Sequence, residues 1–185
     1  SFQHDGTILS LGLNIGGYVE CDAAIEPTRL PDGQWHHCAA TFDGDTMRVY
    51  LDGGEVGALK RPGAISAGGP APGCIGSSNG GENFQGAMDD LRIYSVALTA
   101  EEVARLYENG KAAAARASGA VGGDEPRLDR PLLVHWTFDE PGMSAAIRSS
   151  TGDPAVDVKA GSLVLRLRGV HGRALDLAGE HALAT

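Results

Sequence analysis

Two adjacent histidines, a cysteine and two aspartates followed by glycine lie in the stretch WHHCAATFDGDTMRVYLDGGEV, residues 35–56. Histidine, cysteine and aspartate are common metal ligands. His36 and His37 are neighbours in a predicted strand, so they would point to opposite sheet faces and could not share one ion. Asp43 and Asp52 precede glycines, where aspartate stabilises a turn through its own hydrogen bonds. We therefore expect a structural hairpin, with one histidine packed near the tryptophan and the other at the surface.

Three carboxylates form a second candidate for chemistry, in GYVECDAAIEP at 17–27. A retaining glycosidase needs two carboxyl groups about 5–5.5 Å apart. Glu20, Asp22 and Glu26 have the same parity and would share one face of a regular strand. Glu20 and Glu26 would nevertheless stand roughly 20 Å apart, and Pro27 is expected to end the strand. We therefore expect no enzyme.

Short β-strands must position these side chains. Apolar and polar residues alternate in four runs, at 17–25, 35–42, 46–51 and 88–94, as they do in strands with one buried face. Asp-Gly pairs between such runs are typical of tight hairpins. Several short strands at this spacing predict an all-β protein built as an antiparallel β-sandwich.

One short helix is predicted at 98–110, LTAEEVARLYENG. Thr99 is the expected N-cap, and Glu102 three residues later completes a capping box. Gly110 is the expected C-terminal stop. The segment 111–130 is rich in alanine, glycine and charge, and we interpret it as a linker with room for one more helical turn at its start.

The net charge and the cysteine content of the chain limit the kinds of ligand and partner that it is expected to bind. The chain has 185 residues, three cysteines and a formal net charge of −9, which argues against nucleic acid and anionic membranes as partners. No apolar run approaches the roughly 18 residues that a membrane-spanning helix needs. Cys21, Cys38 and Cys74 lack the CxxC spacing of zinc sites and are expected to be buried free thiols. The first residue is Ser1, and we expect the chain to be a piece of a longer protein.

The stretch 35–56 and the stretch FQGAMDDLRIYSVALTAEEVARLYENG at 84–110 resemble the C-terminal half of a laminin-G-like jelly roll. This fold belongs to the concanavalin A-like lectin/glucanase group. The resemblance lies in W-H-H before a core strand, F-D-G at a hairpin, Y-x-D-G at the next turn, and G-x-x-D-D-x-R-I-Y before a capped helix. LLVHWTFDEPG at 132–142 and GVHGRALDLAG at 169–179 resemble the N-terminal part of the same fold.

The resemblance implies three segments: 1–110 as the C-terminal half of one sandwich, 111–130 as linker, and 131–185 as the N-terminal part of a second copy. Each half alone would leave a hydrophobic face and a sheet edge uncovered. We therefore hypothesise one circularly permuted sandwich, in which the strand at 132–138 pairs with 88–94. The alternative is a partial sandwich with a loosely packed tail.

The same resemblance implies a candidate Ca²⁺ site at Asp89, Asp139 and Glu140. Calcium takes about six to eight oxygen ligands, several of them backbone carbonyls, so a few carboxylates suffice. Arg148 stands where the family often has an aspartate, and a cation there would repel calcium. In the alternative interpretation, which we prefer, Asp89 and the following aspartate only cap loops or pair with Arg92.

A glycan could be held by the loop residues Asn79, Glu82 and Asn83, although such a loop is more often a flexible connection. Trp35 and Trp136 occur in strand-like contexts where large rings usually pack in the core. The sequence therefore offers no evident exposed aromatic platform for a sugar.

These observations and the resemblance predict a non-catalytic carbohydrate- or protein-binding module of a larger secreted or surface protein, bacterial in style. Its expected partners are a glycan or an extracellular protein, and other domains of the same chain. One alternative is a spacer with no ligand. Another is a glycoside hydrolase of the same fold, but the laminarinase motif E-x-D-x-E or E-x-D-x-x-E is missed here by one residue in its last gap.

Overall fold

The computed structural model describes residues 2–3, 6–31, 33–66, 74–76, 84–116, 128–137, 146–147, 151, 158–159, 165–168, 173–176 and 183–184. The chain divides into two compact units. Unit 1 contains residues 1–69 and 96–109, and unit 2 contains residues 70–95 and 110–185. The described strands are all paired antiparallel, which confirms the predicted all-β class.

Unit 1 is built from two three-stranded sheets, ordered β1-β2-β3 and β4-β5-β6. The strands are β1 (Phe2–Gln3), β2 (Ile8–Asn14), β3 (Tyr18–Ala24), β4 (Cys38–Phe42), β5 (Thr46–Leu51) and β6 (Gly54–Lys60). A short 3-10 helix, Pro27–Arg29, follows β3. Each sheet is a meander, because consecutive strands are joined by turns or short connections.

The core of unit 1 lies between these sheets. Alternate residues of β5 are apolar, and they are fully buried, as expected for a strand with one face against a core. Both sheets contribute to one hydrophobic cluster, made of Leu9, Ile15, Cys21, Ala23, Ile25, Met47, Val49 and Leu51. The sheets approach closely at Gly57, where an added Cβ would lie 2.9 Å from the Cβ of Ala23. The arrangement is a β-sandwich, as predicted.

The two predicted Asp-Gly turns are both present. Asp52 and Gly53 have φ angles of 50° and 77°, as a type I′ hairpin turn requires. At the preceding turn, one carboxylate oxygen of Asp43 accepts hydrogen bonds from the N–H groups of Asp45 and Thr46, at 2.9 and 2.8 Å. This confirms that Asp43 stabilises its own turn.

The two tryptophans differ in burial. Trp136 is 8% exposed, as predicted for a core residue, whereas Trp35 is 40% exposed. The core assignment of Trp35 is therefore wrong. The strand predicted at 35–42 begins only at Cys38, so the alternation of faces along the strand does not extend to Trp35.

The cysteines also differ. Cys21 is a buried free thiol, as predicted, whereas Cys38 is free but exposed, which corrects the expectation of a buried thiol there. In the register of β4 and β5, Cys38 lies opposite the core residue Leu51, so Cys38 is on the core-facing side of the sheet, on an edge strand where it remains exposed. The side chain of Cys74 lies outside the described residues.

The helix α1 spans Ala100–Arg116, and its start confirms the predicted capping box. The N–H of Glu102 donates to Thr99 Oγ1 at 3.3 Å, and the N–H of Thr99 donates to Glu102 Oε2 at 2.8 Å. Val103 in the first turn is fully buried. These reciprocal bonds satisfy backbone donors that the first helical turn otherwise leaves without partners.

The predicted end of the helix at Gly110 is wrong. The helix continues to Arg116, and Gly110 does not have the positive φ of a C-terminal glycine stop. The residues that follow are Lys111, four alanines and Arg116. Alanine has the highest helix propensity, and four in succession offset the roughly 1 kcal/mol that a helical glycine costs.

Unit 2 contains nine short strands among its described residues. They are β7 (Cys74–Ile75), β8 (Ala87–Met88), β9 (Leu91–Tyr94), β10 (Leu132–Trp136), β11 (Ala146–Ile147), β12 (Val158–Lys159), β13 (Leu165–Arg168), β14 (Arg173–Asp176) and β15 (Leu183–Ala184). The sheets have the orders β10-β9, β13-β14-β8, β11-β12 and β15-β7. Strands late in the sequence thus pair with strands from 74–94.

The pairing of β10 with β9 confirms the predicted contact between 132–138 and 88–94. Trp136 lies opposite Leu91 and His135 opposite Arg92. The permuted sandwich and the three-segment division of the chain stay predictions. The run predicted as one strand at 88–94 is interrupted at its two aspartates, where Asp90 has a φ of 53°.

Within the part of the chain that the structure describes, no helix is long and apolar enough to cross a bilayer.

Candidate functional site

The outer surface of the β2–β3 hairpin carries a compact set of polar side chains. Because side chains alternate along a strand, Leu9 and Cys21 face the core while their neighbours face outward. In the register of the two strands Ser10 lies opposite Asp22, Gly12 opposite Glu20, and Asn14 opposite Tyr18. We define the Tyr18 face as residues Ser10, Gly12, Tyr18, Glu20 and Asp22.

Tyr18 is the most exposed large aromatic residue described, at 72%. Its phenol end lies over Gly12, since a Cβ added at Gly12 would lie 2.9 Å from Tyr18 Cζ. The hydroxyl donates a hydrogen bond to Glu20 Oε1 at 2.7 Å. Gly12 and Glu20 therefore fix a ring that is supported on one side and open to solvent on the other.

The carboxylates give this face its electrostatic character. Ser10 is 4% exposed, and its hydroxyl donates to Asp22 Oδ1 at 2.7 Å. The hydrogen bond to Glu20, with smaller contributions from burial and from the charges of Glu20 and Asp22, raises the pKa of Tyr18. The phenol therefore remains a neutral donor at physiological pH, beside two acceptors.

The turn before β3 positions Tyr18. Gly16 and Gly17 have φ angles of 62° and 127°, which glycine adopts without the steric penalty of a Cβ. Asn14 Oδ1 accepts a hydrogen bond from the N–H of Gly17 at 3.1 Å. Ile15, at the start of the turn, is 4% exposed and belongs to the core cluster. The aromatic residue thus follows a turn that is anchored in the core.

Sequence reasoning missed this site, because we expected no exposed aromatic platform. Tyr18 opens a strand directly after two glycines, and this is a weak signal by itself. The Tyr18 ring has room to lie on the sheet because its neighbour is Gly12. Gly12 is close to Tyr18 across the sheet and not along the chain. The expectation that the chain has no exposed aromatic platform is therefore corrected.

The expectation that Glu20 and Asp22 share a face is confirmed by their register. Glu26 does not join them, because β3 ends at Ala24 and Glu26 precedes the 3-10 helix. Three carboxylates do not line up on one strand here.

The adjacent histidines are joined to the turn of β5 and β6. His36 Nδ1 lies 2.9 Å from Asp52 Oδ2, and the N–H of His37 donates to Asp52 Oδ1 at 3.0 Å. The His37 ring lies 6.3 Å from that of Tyr107 on α1, tilted by 38°. Both histidines are half-buried, so neither lies fully at the surface, as one of them was expected to. Asp52 connects this segment to the turn instead of bonding only within its own turn.

The candidate calcium residues are only partly described. Asp89 is half-buried between β8 and β9, while Asp139 and Glu140 lie outside the described residues. Among the residues that the structure describes, no group of three or more histidine, cysteine, aspartate or glutamate side chains is placed to hold a metal ion. The calcium site stays a prediction.

Asp90 pairs with Arg92, as in the alternative interpretation of this segment. Asp90 Oδ1 lies 2.8 Å from Arg92 Nε and 2.7 Å from Nε2 of His135. His135 is 2% exposed, so the cluster joins β9 to β10 across a buried polar contact. A buried polar side chain requires such partners.

The predicted glycan-loop residues Asn79, Glu82 and Asn83 lie outside the described residues.

A two-layer antiparallel β-sandwich with one capped helix is a scaffold that many binding modules and some enzymes share. A laminin-G-type family model, described as the concanavalin A-like lectin/glucanases superfamily, matches residues 3–104. This range is more than half of the 185 residues. The chain belongs to this superfamily, as its motifs predicted.

Comparison with solved structures finds a likeness to an S-layer domain-containing protein from Clostridium thermocellum, residues 221–444. The identity is 26%, the TM-score is 0.32, and the match covers 50% of this chain and 46% of that one. The chain thus spans less than half of that structure. No curated protein matches.

Proposed function

We propose that this chain is a non-catalytic carbohydrate-binding module of a larger secreted or surface protein. The observation that carries the proposal is the solvent-exposed ring of Tyr18, supported by Gly12 and flanked by Glu20 and Asp22. Membership of the concanavalin A-like lectin/glucanases superfamily is consistent with this role.

A sugar ring presents C–H groups on its faces and hydroxyls at its edge. The C–H groups pack favourably on the electron-rich face of an aromatic ring. The hydroxyls donate hydrogen bonds to carboxylates, which are stronger acceptors than neutral groups. An apolar contact surface with a few fixed polar groups is the usual composition of a ligand site. The Tyr18 face supplies both parts.

The same contacts argue against catalysis. Glu20 accepts the hydroxyl hydrogen of Tyr18, and Asp22 accepts that of Ser10. Each carboxylate thus orients a neighbouring side chain, whereas a glycosidase pair must face the reacting sugar carbon from two sides. We therefore propose a binding role for these carboxylates.

The experiment is a binding assay against a broad panel of immobilised polysaccharides. Tyr18→Ala should weaken binding about tenfold or more, because it removes the stacking surface. Trp35→Ala is the matched control, since Trp35 is exposed but lies outside the Tyr18 face. Circular dichroism checks that both variants are folded.

Equal loss in the two variants, or no loss in Tyr18→Ala, would refute the assignment of this face. Absence of binding to the whole panel would reject the proposal and favour a spacer. Release of reducing sugar that Glu20→Gln abolishes would favour the hydrolase alternative.

A further inference from the structure

We infer that the Tyr18 face selects uncharged glycans and discriminates against glycans that carry carboxylate or sulfate groups. The inference rests on the proposed function and adds the chemical class of the ligand. It follows from the charges of the face, from the contacts of Arg48, Lys60 and Arg61, and from the position of the Tyr18 ring beside Glu20.

The two charged side chains of the Tyr18 face are both negative. Glu20 and Asp22 lie on the same side of β3, two residues apart, and Asp22 is exposed. Their distance along the strand is roughly 7 Å, at about 3.3 Å per residue. The phenol end of Tyr18 lies over Gly12, which is opposite Glu20, so Glu20 borders a sugar ring stacked on Tyr18 and Asp22 follows along the strand. Hydroxyl groups satisfy these acceptors, while an anionic substituent would be repelled.

No cation on the two strands offsets this charge. The sequences of β2 and β3, ILSLGLN and YVECDAA, contain no lysine, arginine or histidine. Sites that bind carboxylate or sulfate groups of ligands instead present arginine or lysine.

Three basic side chains of the facing sheet, on β5, at the end of β6 and directly after it, have acidic or carbonyl partners. Arg48 lies 2.8 Å from Asp43, and Lys60 lies 3.8 Å from Asp45. Arg61 donates from Nη2 to the carbonyl of Ile15 in the β2–β3 turn at 2.8 Å. These contacts hold the three cationic side chains at turn carboxylates and a backbone carbonyl instead of at the Tyr18 face.

The geometry of the ring makes the discrimination effective. The phenol end of the Tyr18 ring lies over Gly12, so a sugar stacks on the side of the ring that faces solvent. The hydroxyl of Tyr18 is held by Glu20, so this acceptor lies at the edge of the stacking surface. A stacked sugar therefore cannot move away from the carboxylate without losing the ring contact. Selectivity arises when the wrong ligand meets a repulsive group in the only productive pose.

The experiment compares neutral polymers with acidic derivatives of the same polysaccharide backbone. Hydroxyethyl cellulose is paired with carboxymethyl cellulose, and dextran with dextran sulfate, in affinity electrophoresis at low ionic strength. Any further neutral polymer that binds in the panel is paired with its own carboxymethylated derivative. The neutral member should bind about tenfold more tightly or better. Raising the ionic strength to about 0.5 M should reduce the difference, because the repulsion is screened.

The double variant Glu20→Gln, Asp22→Asn should reduce the discrimination most, since it removes both charges and keeps side chains of similar shape. The double variant Glu101→Gln, Glu108→Gln is the control, because both residues are exposed acids on α1 outside the Tyr18 face and their loss changes the net charge by the same amount. This control should leave the discrimination unchanged, so an effect of net charge alone is separated from an effect of the face.

The possible failures are distinguishable. If a polymer binds through Tyr18 but its acidic partner binds equally well, the inference is wrong and the proposed function stands. The same holds if the double variant keeps the full discrimination. If no polymer binds, the proposed function is rejected and the inference with it. If Tyr18→Ala binds normally, the assignment of binding to the Tyr18 face is refuted, and the inference fails with that assignment.

Discussion

Asp52 gives a prediction whose size can be worked out from the structure. Its two carboxylate oxygens bind two consecutive residues, at 2.9 Å to His36 Nδ1 and 3.0 Å to the N–H of His37. The backbone at Asp52 has a φ of 50°, where aspartate, asparagine and glycine are tolerated better than alanine. The side chain thus has two separable roles, one in hydrogen bonding and one in the conformation of the turn.

Three substitutions separate these roles. The Asp52 carboxylate is 24% exposed, so each lost bond should contribute at the lower end of the usual range, about 1 kcal/mol. Asp52→Gly should therefore destabilise unit 1 by about 2 kcal/mol. Asp52→Ala should cost about 3 kcal/mol, because alanine adds about 1 kcal/mol at positive φ. Asp52→Asn should cost about 1 kcal/mol, because the amide keeps an acceptor and tolerates the turn.

The assay is equilibrium unfolding in urea, followed by tryptophan fluorescence and by circular dichroism. Trp35 is adjacent to His36 in sequence and reports on this segment. The expected order of stability is wild type, Asn, Gly, Ala. Three variants within about 0.5 kcal/mol of wild type would refute the role of the carboxylate. Equal stability of the Gly and Ala variants would refute the positive φ of the turn.

Three further predictions concern packing, the helix cap and acid stability. Trp136→Ala should cost about 3–5 kcal/mol because the ring is buried, while Trp35→Ala should cost under about 1 kcal/mol; similar losses in urea unfolding would contradict the difference in burial. Thr99→Ala should cost about 1 kcal/mol by removing the cap bond to Glu102, and Thr99→Ser should keep most of the stability; a thermal shift for Ser as large as that for Ala would argue against capping. The adjacent arginine and two backbone N–H groups lower the pKa of Asp43, so its contribution to stability is present above the unfolded pKa and is lost as pH falls through the lower folded value. Asp43→Asn should therefore show a shallower loss of stability between about pH 4 and pH 2 in acid titration; a loss as steep as that of the wild type would contradict the contribution of Asp43.

Features set by neighbours along the chain were predictable from sequence. The cap formed by Thr99 and Glu102 depends on residues three apart, and the turns at Asp43 and Asp52 depend on aspartate followed by glycine. Their geometry is determined by local hydrogen bonds and by φ preferences. The superfamily and the pairing of β9 with β10 were predictable because several motifs occurred together, each weak by itself.

Features set across the fold were not predictable. Trp35 is exposed, because β4 begins only at Cys38. A pattern of residue types does not specify where a strand stops pairing with its neighbour. Element boundaries are therefore the least reliable part of a prediction from sequence. Asp52 bonds to His36, 16 residues away in the chain, a choice of partner that only packing decides.

The candidate site shows the same division. The sequence by itself determined that Glu20 and Asp22 share one face, because side chains alternate along any regular strand. Only the tertiary structure decided that this face is a platform. The register places Gly12 where the Tyr18 ring needs space, and the packing of the opposite face against β5 leaves that ring in solvent. Whether the Tyr18 ring is exposed depends on which residues pack around it in the folded protein. The sequences of β2 and β3 alone do not specify those residues.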